Sequence, residues 1–290
     1  MKPSTGRPHA SECSITTRQL EDIYMRLLLI NPNTSHSMTD RMMKTALACA
    51  HPGTQIRAVT ATEGVPYIAT RAEAQIAGRT LLDMIADHRP ECDAVIVGAF
   101  GDPGLLGARE LFDIPVIGLA ETAMFSACML GGRFGIVTFS PVLRQWFQDC
   151  VEMHGLATRC SGVRTLDANP SGDVAMVQEE KEEQLIELCR KAVEEDGADV
   201  IIPAGAPLTG LAEKIRDRVS VPVVDQVVAA VKQAEAIIAL NVKPASAGAF
   251  RRPDAKPSTG LPKPLAAWLA HDETIPSVTV LRPRSMGGEE

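Results

Sequence analysis

Three carboxylates stand where acid–base chemistry can be expected. Glu121 follows the apolar run 115–118 and opens a helical stretch, and Asp225 follows Val221–Val224 in a similar way. Asp102 lies in a loop after another apolar run. Two carboxylates whose pKa values are separated by burial can divide the roles of acid and base. We therefore predict Glu121, Asp225 and Asp102 as catalytic residues; stabilising a helix N-terminus is the alternative role of each.

Several other polar residues follow predicted strands. Asn31, Asn33 and Thr34 come directly after the first apolar run, and Thr138 and Ser140 end a later one. Free N–H groups at a helix N-terminus can hold a carbonyl oxygen or an anion, and hydroxyls can donate to the same groups. We predict that these five residues bind substrate. Helix capping and turn hydrogen bonds are the alternatives.

Short aliphatic runs alternate with helical stretches along most of the chain, which predicts parallel β-α-β units. The predicted strands are 26–30, 55–60, 94–98, 115–118, 134–138, 162–166, 199–202 and 222–224. The predicted helices are 36–50, 71–88, 104–111, 121–130, 141–154, 174–195 and 226–240.

An internal repeat organises these units. The segments 93–105 and 198–208 have the same pattern: each is a predicted buried strand followed by a loop of small residues. A second pair, 26–34 and 133–141, is related in the same way. Ligands of open parallel sheets bind beyond the carboxyl ends of the strands. Two facing halves would therefore bring four strand-end loops to one cleft.

Composition and charge exclude several classes of protein. The 290 residues carry a net charge of -7, whereas a nucleic-acid-binding surface needs a basic stripe. No apolar run reaches the roughly 18–20 residues of a membrane span. Charged residues interrupt the first 25 residues, so no signal peptide is predicted. We expect a cytoplasmic protein without a nucleic-acid or membrane partner.

The sequence offers no recognisable cofactor motif. Its seven cysteines are scattered and lack C-x-x-C spacing, which argues against a disulfide framework or a zinc site. P-loop, G-x-G-x-x-G, H-E-x-x-H and G-x-S-x-G patterns do not occur either. We therefore expect no metal and no cofactor, and a small molecule as the partner.

Five segments, taken together and in this order, resemble the hydantoin and allantoin racemase branch of the aspartate/glutamate/hydantoin racemase superfamily. They are Asn31–Ser35, Phe100–Leu105, Gly118–Glu121, Phe134–Thr138 and Lys256–Leu261. The resemblance implies an α/β fold of two pseudo-symmetric Rossmann-like domains with parallel sheets and an active site between them. It leaves the oligomeric state open, with a homo-oligomer as one option.

The implied domain bounds follow from the repeat. Four regions are expected: a flexible N-terminal tail, a first α/β domain of two segments, a second α/β domain, and a partly disordered C-terminal extension. Their bounds are 1–25 for the tail, 26–118 plus 222–242 for the first domain, 119–221 for the second, and 243–290 for the extension.

In this family one cysteine ends a strand in each half, and the two thiols exchange protons on opposite faces of the substrate carbon. The resemblance places Ala99 and Ala204 at these two positions, and alanine has no exchangeable proton. It also implies that Phe100 and Gly205 contact the substrate beside the two alanines. Tyr67 stands in a loop that resembles the family's substrate-ring loop.

Three functions are compatible with alanine at the two cysteine positions of the family. The first is a thiol-independent hydrolytic reaction at a ring carbonyl or thiocarbonyl of a hydantoin-like cyclic amide, of which a thiohydantoin desulfhydrase would be an example. The second is a racemase that uses bases other than cysteine. The third is a small-molecule-binding protein without catalysis on the same fold.

Overall fold

The computed structural model describes residues 24–167, 173–242 and 244–272. Most of the predicted N-terminal tail and the predicted disordered segment 271–290, except its first two residues, lie outside this part of the chain. Within the described residues, no helix combines the length and the apolar character needed to cross a bilayer.

The first sheet has four parallel strands in the order β2-β1-β3-β4. The two central strands are buried along almost their whole length, as expected where helices cover both faces of a sheet. The strands are β1 (Met25–Asn31), β2 (Thr54–Thr60), β3 (Ala94–Val97) and β4 (Val116–Gly118).

The second sheet has three parallel strands in the order β6-β5-β7. The strands are β5 (Phe134–Thr138), β6 (Cys160–Thr165) and β7 (Val200–Pro203). The predicted strand 222–224 is reduced to one bridge between Ile201 and Val223. With this exception the predicted strands are found, and the α/β class with parallel sheets is confirmed.

Helices connect the strands. They are α1 (His36–Cys49), α2 (Arg71–His88), α3 (Leu105–Leu111), α4 (Leu119–Leu130), α5 (Leu143–Met153), α6 (Val177–Glu180), α7 (Glu182–Glu194), α8 (Leu211–Ile215), α9 (Gln226–Leu240) and α10 (Lys263–Ala270).

The predicted single helix 174–195 is interrupted. A 3₁₀ turn at Val174–Met176 precedes α6, and Lys181 leaves helical geometry between α6 and α7. The buried side chain of Gln178 donates to the Thr209 carbonyl 3.1 Å away, which holds this turn against the loop after β7. The continuous helical pattern of the sequence is thus divided into a 3₁₀ turn and two helices.

One apolar cluster joins the second sheet to α2 and to the loop after β3, and its buried members include Ala99, Phe100, Phe139 and Ala204. The first sheet has two further clusters on its own helices. In the C-terminal extension, α10 packs on α2 and buries Trp268. The β1–β4 and β5–β7 strands fall within the two predicted domain ranges, and the domain bounds themselves stay a prediction.

Candidate functional site

The ends of four strands form the candidate site. β1 and β3 are neighbours in the first sheet, and β5 and β7 are neighbours in the second. The chain leaves β3 with a hydrogen bond from Gly98 N to Ile30 O (2.7 Å), and it leaves β7 with one from Ala204 N to Val137 O (2.8 Å). In the hydrogen-bond register Gly98 therefore corresponds to Ala204, and Ala99 lies one residue further along its loop.

Asn31 organises the turn between β1 and α1. Its buried side-chain amide donates to Asn33 Oδ1, to Ser35 O and to Thr39 Oγ1, each at 3.0 Å. Thr34 N donates to Val65 O at 3.0 Å, which attaches the loop 61–70 to this turn. These side chains therefore fix the strand end, and their contact with substrate stays a prediction.

The loop after β7 is held by a residue that the sequence did not indicate. Gln226 exchanges two hydrogen bonds with Gly205, accepting from its N–H (3.2 Å) and donating to its carbonyl (2.6 Å). Gly205 has a φ of +106°, which favours glycine. Thr138 Oγ1 donates to Ala204 O at 2.9 Å, and Ser140 is buried just beyond it.

Tyr67 lies in the loop 61–70 and contacts Phe139 at the end of β5, with ring centroids 5.8 Å apart. Its hydroxyl is buried, and it has no hydrogen-bond partner among the described residues. Burial raises the pKa of this phenol well above its ordinary value. Tyr67 is therefore a neutral hydroxyl donor at physiological pH.

The loop after β3 packs on α5, which belongs to the other half of the repeat. The Phe100 ring lies 4.7 Å from that of Phe147, and a side chain on Gly101 would collide with Trp146. Ala99 is buried in the same apolar cluster as Ala204. The contact of Ala99, Phe100 and Ala204 with substrate stays a prediction.

Asp102 caps a different helix from the one expected. Its Oδ1 accepts from Ala120 N (2.9 Å) and its Oδ2 from Glu121 N (2.8 Å), so it caps α4. It does not cap the next helix along the chain, α3, which begins at Leu105 after Gly104. Asp102 is fully buried and has a φ of +48°.

Glu121 also stabilises the N-terminus of α4. It accepts from Gly118 N at 3.1 Å and pairs with Arg109. Glu121 lines a cavity of about 500 Å³ whose walls come from β4, α4, α9 and five residues of the C-terminal extension or just before it: Val242, Pro244, Ala245, Phe250 and Arg252. The carboxylate of Glu121 thus borders this cavity while it is hydrogen-bonded to Gly118 and Arg109.

Asp225 caps α9. It accepts from Gly210 N (2.7 Å), Val227 N (2.8 Å) and Val228 N (3.1 Å). Burial raises the pKa of its carboxyl, although these three N–H groups oppose the rise. The position that corresponds to Asp225 at the start of α4 is Gly118, so the expected equivalence of Glu121 and Asp225 is wrong.

Two further residues that the sequence analysis passed over lie beside Asp102. His154 Nε2 is 3.2 Å from Asp102 Oδ2, and the Cys150 thiol is close to both. Burial raises the pKa of Cys150 well above its ordinary value, and the charges of Asp102 and Glu121 raise it further. The spacing of Cys150 and His154, four positions apart at the end of α5, was the available signal.

Comparisons with known proteins indicate the family of the chain. A family model described as Asp/Glu/Hydantoin racemase matches residues 27–234. A hydantoin racemase from Pseudomonas sp. (strain NS671) is 32% identical over 244 residues, which cover 81% of this chain and 95% of that protein. A hydantoin racemase from Paenarthrobacter aurescens is 31% identical, with coverage of 80% and 99%.

Solved structures give the same result. An allantoin racemase from Klebsiella pneumoniae superposes with a TM-score of 0.78 at 35% identity, covering 83% of this chain and 98% of that one. An allantoin racemase from Pseudomonas fluorescens has a TM-score of 0.76 at 31% identity, covering 81% and 100%. Together with the family match, these similarities establish that the chain belongs to the Asp/Glu/hydantoin racemase family.

Proposed function

We propose that the chain is an enzyme that acts on a small hydantoin-like cyclic amide bound at the ends of β1, β3, β5 and β7. The two methyl groups of Ala99 and Ala204 are the observation that carries the proposal. They lie in the loops that follow β3 and β7, and both are buried in one apolar cluster. The relatives are named hydantoin racemase and allantoin racemase, and both compounds contain the same five-membered cyclic amide.

The proposed reaction does not use thiols. The resemblance puts the family's two cysteines at positions 99 and 204, where methyl groups cannot exchange protons. We propose hydrolysis at a ring carbonyl or thiocarbonyl, in which water attacks and the charge on the oxygen or sulfur is stabilised by N–H and hydroxyl donors. The neutral hydroxyl of Tyr67, which has no described partner, is the proposed side-chain donor.

Asp225 is the proposed base that activates the water. It is partly accessible, and burial raises the pKa of its carboxyl, which increases its basicity. Asp102 and Glu121 are nearly inaccessible and are hydrogen-bonded to the start of α4. For these two, a positioning role is proposed in place of direct catalysis.

Racemisation with bases other than cysteine is the second candidate, and the names of the relatives favour it. It would leave the ring intact and replace the hydrogen on the substrate carbon by one from solvent. Hydrolysis would instead open the ring or remove sulfur. The two candidates therefore differ in the mass and in the isotope content of the product.

The test is incubation of the full chain with hydantoins, thiohydantoins and allantoin in deuterated water, followed by mass spectrometry. Addition of water or loss of sulfur supports hydrolysis, and deuterium at the ring carbon without other change supports the racemase. Asp225→Asn is expected to lose hydrolytic turnover, and Glu121→Gln to retain it. Ligand-induced thermal stabilisation without any turnover would refute both reactions in favour of a binding protein.

A further inference from the structure

Asp102, Cys150 and His154 place three different metal-ligating groups together at a contact between the two halves of the molecule. One ligand atom from each lies within 4.8 Å of the other two. The side chains of Asp102 and His154 are 0% and 6% exposed, and Cys150 is buried as well. Asp102 has a role of its own as the cap of α4, but that role does not require Cys150 and His154 beside it.

The backbone fixes the direction of each group. Cys150 lies in the last turn of α5, and His154, four positions later, is the C-cap residue of this helix, so the two side chains lie close together at its end. Asp102 approaches from the loop after β3 with its backbone in the left-handed region. Two ligands one turn apart on a helix, joined by a third from elsewhere, is an arrangement that metal sites use.

The distances suit a small divalent cation. The Zn–N, Zn–O and Zn–S bond lengths imply ligand separations of roughly 3.4–3.6 Å in a tetrahedral site. His154 Nε2 and Asp102 Oδ2 are 3.2 Å apart, close to that separation. The sulfur needs to approach by about 1 Å at most to match it, because all three atoms lie within 4.8 Å.

The partners around the cluster match those of a metal site. The second ring nitrogen of His154, Nδ1, lies 3.9 Å from Glu121 Oε2. A carboxylate behind a ligating histidine orients the ring and increases its basicity. Asp102 receives one backbone N–H on each oxygen, from Ala120 and Glu121, and a carboxylate oxygen has a further lone pair for a cation.

Charge and ligand type indicate the cation. Cysteine, histidine and aspartate together favour zinc over magnesium or calcium, which prefer oxygen ligands alone. Asp102 and a thiolate at Cys150 would balance the two positive charges. We propose that Asp102, Cys150 and His154 bind one zinc-type divalent cation, which links the loop after β3 to α5 and leaves a fourth position for water.

The alternative is a hydrogen bond between Asp102 and His154 beside an unreactive thiol. It needs no contribution from Cys150, whereas a metal site needs the sulfur as a ligand. Titration of the full chain, freed of metals by chelation, with Co²⁺ distinguishes the two. A thiolate ligand to tetrahedral Co²⁺ produces a sulfur-to-metal charge-transfer band, and a hydrogen-bonded cluster produces none.

We expect one equivalent of Co²⁺ to bind with this band and to be displaced by Zn²⁺. Cys150→Ser is expected to abolish the band, and His154→Gln to weaken Co²⁺ binding at least about tenfold. Cys189→Ser is the matched control, since Cys189 is also a fully buried helical thiol but lies on α7. It should leave the titration unchanged.

Peptide mapping after alkylation supplies a second measurement for variants that fold poorly. Bound Zn²⁺ should slow the alkylation of Cys150 in the wild-type chain, while Cys189 is unaffected by the metal. A wild-type chain that binds no Co²⁺, or a charge-transfer band that persists in Cys150→Ser, would overturn the proposal. These outcomes do not depend on the proposed reaction, because no substrate is present.

Discussion

Tyr67 buries a phenol hydroxyl for which the described residues offer no hydrogen-bond acceptor. Tyr67→Phe removes this hydroxyl and keeps the ring against Phe139. We expect the free energy of unfolding to change by less than about 0.5 kcal/mol, since no described hydrogen bond is lost. Turnover or ligand affinity should fall about tenfold, the value of one lost hydrogen bond to the bound molecule.

The control for this variant is Tyr24→Phe, at an exposed position at the start of the described chain. It should alter neither stability nor turnover. Equal activity of Tyr67→Phe and the wild-type chain would show that the hydroxyl does not touch the reacting ligand. Enzyme assays and urea unfolding on the same preparations separate the two effects.

At the scale of single residues, the sequence located the strand ends but not all of their partners. Asn31, Thr138 and Ala204 could be placed because each directly follows an aliphatic run. Gln226 and His154 could not, because they bond to groups 21 and 52 positions away in the chain. No local pattern encodes such contacts.

Gly118 links β4 to α4 at the point where the Asp102 carboxylate approaches most closely. A methyl group on Gly118 would overlap that carboxylate, which two backbone N–H groups of α4 hold in place. The φ of Gly118 is -89°, so the backbone itself accepts alanine. We expect Gly118→Ala to destabilise the fold by about 1–3 kcal/mol through overpacking.

Gly107→Ala provides the contrast for this substitution. Gly107 lies inside α3, and a methyl group there meets no atom within 4 Å. Because alanine favours helix, we expect this change to stabilise the protein by about 0.5–1 kcal/mol. Urea unfolding midpoints should move in opposite directions, and a Gly118→Ala midpoint at or above the wild type would contradict the packing argument.

Glu235 ties α9 to the start of β2. Burial opposes its ionisation, but hydrogen bonds from His51 N, Thr54 Oγ1 and Lys232 Nζ outweigh this effect and lower the pKa of the carboxyl. A lowered pKa in the fold stabilises the protein above the unfolded value of about 4.3. This stabilisation is lost as the pH falls through the folded value.

Glu235→Gln should therefore reduce the free energy of unfolding at pH 7 by about 1–3 kcal/mol. The difference from the wild type should shrink as the pH falls below about 4, where the wild-type carboxyl is protonated too. The exposed Glu213→Gln, on α8, is the control. A difference that stays constant from pH 7 to pH 3 would show that ionisation of Glu235 does not contribute.

At the scale of elements, aliphatic runs and small-residue loops were sufficient to place most strands and helices. The break at Lys181 was not predictable from the local pattern; it follows a short helix that the buried Gln178 joins to Thr209, in a different part of the chain. The cap on α4 was missed for the same reason. Its carboxylate, Asp102, comes from another loop, whereas sequence rules for caps consider adjacent residues only.

At the scale of the whole molecule, racemisation by two thiols requires a contribution from each half. Ala99→Cys combined with Ala204→Cys would place thiols at the ends of β3 and β7. We expect the double variant to exchange the substrate hydrogen with solvent deuterium at least about a hundredfold faster than the wild type. Each single variant should gain much less, because one face of the substrate then lacks an acid.

Ala108→Cys is the control, since it adds a thiol at a fully buried alanine of α3 away from the strand ends. Hydrogen–deuterium exchange at the substrate carbon is read by mass spectrometry, and thermal unfolding checks that the added sulfur atoms are tolerated. Inactivity of a well-folded double variant would argue against positions 99 and 204 facing the same molecule.

The repeat allowed the overall architecture to be anticipated, yet the contact between the halves came only from the structure. Phe100 and Gly101 press against the aromatic rings of α5, so spreading the two sheets apart would expose several aromatic side chains to water. Moving the loop 61–70 outward instead breaks two backbone hydrogen bonds, Ala61 N to Asn31 O and Thr34 N to Val65 O, and exposes the Tyr67–Phe139 contact and Ile68. We therefore expect the substrate and product to pass the loop 61–70, and the rate at which this loop opens would set an upper limit on turnover.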